Sequence, residues 1–163
     1  EVSDEEINQL YNHPKVKAMV SFTKGEGFGR PLLEFSLVKK PIIVSGWSGH
    51  IDFLDRDNVV MVGGELKNVH KSAAQKNMIL EEAKWFSPDD SEAARAMKVV
   101  FKQYNKLLIN AKRQGTKNSN EFNFSAMKDL LGNILDNNLP EFPKQIELTL
   151  PKLELPKLEK ING

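Results

Sequence analysis

A chain of 163 residues with 40% apolar and 28% charged side chains is long enough to bury a core and too mixed in composition for disorder or collagen. Its 23 basic against 22 acidic residues leave a net charge of +1, which removes any global field for nucleic acid or an anionic membrane, and zero cysteines exclude disulfides, thiolate zinc sites and thiol nucleophiles. No apolar run approaches the roughly 20 residues of a membrane helix and no signal peptide is visible, so a soluble cytoplasmic chain is expected, and its start at Glu1 rather than Met is what a fragment would show.

In chain order, Ser3 with Glu6 three positions on has the pattern of a capping box and predicts a short helix that His13-Pro14 ends. KVKAMVSFT then reads as a strand, its nearly continuous Val16, Ala18, Met19, Val20 and Phe22 predicting burial on both faces. PLLEFSLVKK is a helix with Leu32, Leu33, Phe35 and Leu37 inward, and Pro41 breaks it before the buried strand PIIVS. GWSGHIDFLDRD is a loop with a short turn, followed by a third apolar run, NVVMVG at 58–63. Strand, helix, strand, short helix, strand is the rhythm of a parallel, doubly wound α/β sheet. Because crossovers place sequential parallel strands side by side, the expected order is 16–22, 41–45, 58–62, with a long unpaired edge on 16–22 that invites association or cover by the chain's own tail.

The second half is helical. Asp89 and Glu92 form a second capping-box pattern, and Met97, Val100, Phe101, Tyr104, Leu107, Leu108 and Ala111 give one wide apolar stripe that Gly115 closes. A helix over about 124–137 carries Met127, Leu130, Leu131, Ile134 and Leu135. The tail from 140 repeats Leu-Pro-Lys-Leu-Glu at 150 and 155, and its prolines favour an extended path on a surface. The expected division is therefore 1–115 for the sheet domain, 116–139 for a C-terminal helix and 140–163 for the tail.

The stretch GEGFGRPLLE, Gly25–Glu34, stands between the first strand and helix. Its glycines do not fit the dinucleotide spacing, since Arg30 and Leu32 fall where a glycine is needed, and no Gly-Lys-Ser/Thr follows for a P-loop. What remains is a flexible turn at the carboxyl edge of a parallel sheet, leading into a helix whose first residue is read as Pro31; its free N–H groups suit an anion.

Glu26 and Glu34, with Gly-Phe-Gly and Pro between them, resemble the E-x7-E signature of the retaining GT-B glycosyltransferases of the group 1 family. The flanking MVSFTKGEGFG and PIIVSGWSG, and the later EEAKWFSPDD, are similar to segments of that family, the last opening a late helix. The resemblance covers about residues 3–113 and implies the C-terminal half of a GT-B architecture, a partial Rossmann-like domain holding three of six strands, with the acceptor-binding N-terminal domain and the main phosphate-binding Arg and Lys outside this chain. It implies a hexose moved from a nucleotide diphosphate sugar to a hydroxyl acceptor with retention and without metal or other cofactor. Glu34, in the helix's first turn, would hold the ribose diol, and Glu26 would act at the transferred sugar, because a carboxylate accepts two hydrogen bonds from a vicinal diol. The N–H groups of Gly27, Phe28 and Gly29, with those of Leu32 and Leu33, would face the sugar hydroxyls and the diphosphate. Lys24 and Arg30 bracket the loop and read either as cations that neutralise the diphosphate or, equally, as solvated charges.

Trp47, Ser48, Gly49 and His50 end the second strand at the same sheet edge and are candidates for acceptor or sugar contact, Trp47 by stacking; packing of Trp47 and a His50 tied to nearby backbone are the competing readings. Asp55-Arg56-Asp57 has the D-x-D form of a metal site but reads as a polar turn before a strand. His13 and His70 have no companions at ligand or triad spacing. A noncatalytic module that associates through its sheet edge and LPKLE tail is the rival to an enzyme.

Overall fold

The structure, a computed structural model, describes residues 2–75, 78–80 and 82–140. Helix α1 (Asp4–Asn12) leads to strand β1 (Met19–Ser21), helix α2 (Arg30–Leu37), β2 (Ile42–Ser45), a 3-10 turn at Gly49–Asp52 and β3 (Val60–Val62). Beyond them come β4 (Gly64–Asn68), a second 3-10 turn at Lys71–Ala73, β5 (Lys84–Pro88), α3 (Asp90–Lys102), α4 (Tyr104–Glu121) and α5 (Phe124–Asn138). β1, β2 and β3 form a parallel sheet in that order, Met19 opposite Ile42 and Ile43 opposite Val60, as the crossover argument requires. The fold is mixed α/β.

The two-residue period of β2 sorts the core into two layers. Ile42 and Val44 face Leu32 and Phe35 of α2, with Phe53, Leu54 and Val59 from the following loop. Ile43 turns the other way and meets Val62 and the small residues Ala93 and Ala96 of α3, with Val100. Behind the first layer runs a buried polar seam. Gln114 Nε2 donates to Phe53 O (2.7 Å) and Asn118 Oδ1 (3.0 Å), its Oε1 accepts from Asp55 N (2.8 Å), and Asn118 Nδ2 donates to Ser36 Oγ (2.8 Å). These bonds fasten α4 across α2 and the loop after β2.

Several expectations change. β1 is three residues long and not buried on both faces: Val20 is 45% exposed, because α3 covers Ile43 and Val62 but stops short of the outer strand. A groove of ≈ 530 Å³ remains there, lined by Val20, Met97, Val100, Phe101 and Tyr104, and among the described residues nothing pairs with the outer edge of β1. Leu37 points outward. The single long helix is two, parted at Gln103 (φ −115°, ψ 27°), so only Val100 and Ala111 of the predicted stripe are buried while Phe101 is 87% exposed. Gly115 does not end a helix; it lies within α4, where a Cβ would stand 2.5 Å from Ser36 O, and the absent side chain lets α4 approach α2. The expected division at 115 therefore falls inside α4, whose Asn118 belongs to the core. No residue of α5 is buried, and Met127, Leu130, Leu131, Ile134 and Leu135 all stand exposed. β4 and β5 pair antiparallel, Leu66 opposite Phe86, and had no counterpart in the sequence reading. The LPKLE tail lies outside the described residues.

Both helix starts signalled in the sequence are capped. Ser3 and Glu6 form the reciprocal capping box. At α3 only half of it forms: Asp89 Oδ1 accepts from Glu92 N (2.7 Å), while Glu92 Oε2 turns to Gly63 N (3.0 Å) and ties β3 to the helix. The Ser91 hydroxyl, and then the Glu92 amide, hold the Asp89 carboxyl below the usual aspartate range. A depressed folded value means that the stabilisation is fully present above the unfolded pKa and is lost as pH falls through the folded one. Asp89→Asn keeps an acceptor without the proton linkage, so its stability should decline less between about pH 5 and pH 2 than that of the parent chain. Parallel acid limbs in denaturant titrations of the two chains would reject this.

Candidate functional site

The glycine turn sits where β1 ends, at the carboxyl edge of the parallel sheet, and is built from three directions. From behind, Ser48 Oγ accepts from Glu26 N (2.8 Å) and donates to Glu26 O (2.6 Å), while Gly49 N donates to the same carbonyl (3.2 Å). At its tip, Phe28 packs on Phe53 and Phe122 with ring centroids 4.9 and 6.0 Å away. On its flank, Phe86 N of β5 donates to Lys24 O (3.1 Å). Gly29 then takes φ +89°, a left-handed value that favours glycine, and a Cβ there would meet His50 Cβ at 3.0 Å. The fold requires that glycine. It does not require Gly25 or Gly27, where nothing lies within 4 Å of a Cβ position, so each is open on its Cβ side.

Gly29, not Arg30, caps α2, which makes Arg30 its first residue and Pro31 its second. This one-residue shift changes the expected roles. The amides of Leu32 and Leu33 donate to Gly29 O (2.9 and 3.2 Å) and are not available to a ligand. Among the described residues, the N–H groups of Gly27, Phe28, Gly29 and Arg30 have no protein acceptor. Glu34 falls in the second turn of α2 rather than the first. It accepts from Arg30 Nε at 2.6 Å and faces a groove of ≈ 440 Å³ between α1 and α2 that Tyr11 also lines. Burial, and then the Glu34 charge, push the Tyr11 phenol up. The Arg30–Glu34 pair is solvent-exposed and screened, so it holds Glu34 only weakly.

The other predicted residues separate. Lys24 does not lean over the turn: its Nζ lies 4.3 Å from the centroid of Trp85. Trp47 is half exposed and runs parallel to Phe86, centroids 6.1 Å apart and 5° between planes, so one flank is packed and the other is open at the sheet edge. His50 is 0% exposed, its Nε2 2.7 Å from Ser45 O; that carbonyl can only accept, so Nε2 carries the proton. His50 is a backbone-tied residue beneath the turn, and its Nδ1 and Thr23 Oγ1 are buried without partners among the described residues. Asp55 pairs with Lys117 Nζ at 2.7 Å, which raises the lysine's pKa, and Asp57 O accepts from Asn110; both serve the loop's attachment to α4. His70 caps the 3-10 turn at Lys71–Ala73, and His13 caps α1.

A larger cleft, ≈ 850 Å³, lies between the β4–β5 ladder and the start of α3; Glu65, Asp89, Asp90 and Glu92 line it with Lys67 and Arg95, so its charge is mixed with an acidic excess. Ser48, read from the sequence as a candidate sugar or acceptor contact, turns instead to the Glu26 backbone, and what the sequence did not disclose is this supporting role and the supports Phe86 and Phe122, the three drawn from 22 to 94 positions away. The only local signal was a serine and a tryptophan between two glycines. Comparison with protein families and with curated proteins gives no match for this chain.

Proposed function

We propose that this chain is the donor-binding part of a retaining glycosyltransferase of GT-B architecture, acting on a nucleotide diphosphate sugar. The observation that supports it most is the row of four amides without an acceptor among the described residues, Gly27 to Arg30, at the carboxyl edge of the sheet, open on the Cβ side of Gly27, with Glu26 before it and Glu34 after it. Fixed N–H dipoles at a helix start stabilise an anion without reorganising, which is what a departing nucleoside diphosphate needs. In the reaction the bond from the anomeric carbon to the diphosphate breaks, and its electron pair leaves with the diphosphate. The acceptor oxygen bonds to that carbon on the same face, and its proton passes to the departing diphosphate oxygen. Glu26 would hold the sugar, Glu34 the ribose diol, and Arg30, released from Glu34, the diphosphate.

The test is calorimetric, on the full-length protein with UDP, GDP and their hexose derivatives. Glu34→Ala should cost nucleotide affinity by about 1.5–3 kcal/mol, the range for a charge-assisted hydrogen bond. Glu26→Gln should spare the nucleotide and reduce the gain from the sugar. Unchanged nucleotide affinity in Glu34→Ala rejects the ribose role. The exposed apolar rows of α5 and the open groove beside β1 favour a second reading, a module for association; concentration-dependent dimers that bind no nucleotide sugar would select it.

A further inference from the structure

Ser48 occupies φ 84°, ψ −173°, a backbone region that is in essence reserved for glycine. Glycines stand at 46 and 49, yet the position whose backbone most needs one holds a serine. The reason is visible in its side chain: the hydroxyl accepts from Glu26 N at 2.8 Å and donates to Glu26 O at 2.6 Å, fixing both backbone polar groups of the residue from which the carboxylate projects. Strain of this kind persists only where the surroundings over-determine it, and here Gly49 N also binds Glu26 O while His50 anchors the turn to Ser45. No other contact of Glu26 reaches across the loop among the described residues.

We propose that Ser48 is a positioning residue that sets the orientation of the Glu26 carboxylate, holding it against the backbone preference of Ser48 itself. The inference rests on reading Glu26 as the sugar-side carboxylate, and it deepens that reading: discrimination between a nucleotide and its sugar derivative would depend on a hydroxyl that never touches the ligand.

Two substitutions separate positioning from simple structural filling. Ser48→Gly relieves the strain and removes the hydroxyl; Ser48→Ala keeps the strain and removes the hydroxyl. Thermal unfolding should place Ser48→Gly at or near the parent and Ser48→Ala below it. Amide hydrogen exchange at Glu26 should nevertheless accelerate in both, by roughly tenfold for loss of its acceptor. The ratio of UDP to UDP-glucose dissociation constants, or of GDP to GDP-mannose, should fall toward one in both variants while the nucleotide constants hold. Exchange at Glu26 that is unchanged in Ser48→Gly overturns the inference, as does a loss of exchange protection that merely tracks the melting temperature. If exchange accelerates as expected but the parent gains nothing from either sugar, the hold on Glu26 stands and its role in sugar discrimination is overturned together with the donor-site reading.

Discussion

Gly49→Ala should dislodge the glycine turn more completely than any change within the turn itself. A Cβ at position 49 would stand 2.0 Å from Gly27 O, 2.7 Å from Gly27 C and 3.2 Å from Glu26 O. These are backbone atoms, so no side chain can swing aside, and either the turn or the 3-10 helix at Gly49–Asp52 must retreat by about an ångström or more. That retreat also breaks the bonds from Ser48 and Gly49 to Glu26. Overpacking of this kind typically costs about 1–3 kcal/mol of stability. The larger effect should fall on the resonances of Gly25 to Gly29 in an amide spectrum and on donor affinity, which should drop below detection. Gly27→Ala is the control: with nothing within 4 Å of its Cβ position, it should fold as the parent does and lose affinity only where a ligand would approach. A Gly49→Ala spectrum that overlays on the parent through the turn would refute the close contact.

Gln114→Ala should be the most destabilising single truncation in α4. The side chain is 1% exposed and satisfies three groups at once, Phe53 O, Asp55 N and Asn118 Oδ1. Truncation leaves those groups buried without partners, each a loss of about 1–3 kcal/mol, and adds a cavity. A total of about 3 kcal/mol or more is expected in urea unfolding, enough to threaten a domain of ordinary stability. Gln114→Met fills the volume and so isolates the polar part; it should recover only a fraction of the loss. A change under about 1 kcal/mol in the alanine variant would show that the seam contributes little.

What the sequence could disclose was governed by how local the cause was. The three parallel strands were legible because β-branched runs stood between clear breakers, and their order followed from connection geometry. The Ser3–Glu6 box was legible for the same reason. β4 was not, since every residue of Gly64–Asn68 is exposed and the segment has no apolar alternation to read. The break at Gln103 carries neither glycine nor proline. Gly115 carries the right residue for a helix end, but its cause is Ser36 O, 79 positions earlier. At the site, the motif itself was visible and its start was misplaced by one residue, because Pro31 looked like a first helical position while the left-handed Gly29 had already begun the helix. That single step removed Leu32 and Leu33 from the expected row of free amides and left Gly27, Phe28 and Gly29 with Arg30 added.

The polar seam and the Phe122 contact set the order in which this chain can complete itself. The strands of the parallel sheet are all present once residue 62 has left the ribosome, yet Phe53 waits for Gln114, Ser36 for Asn118 and Phe28 for Phe122. Between those two moments a nascent chain holds a formed motif with its aromatic tip uncovered and its loop carbonyls unpaired. Contacts across 61 to 94 positions close slowly, because the entropy of a long loop must be overcome before any of them forms. The glycine turn is thus sealed late, and until then its aromatic tip is exposed surface of the kind that chaperones cover.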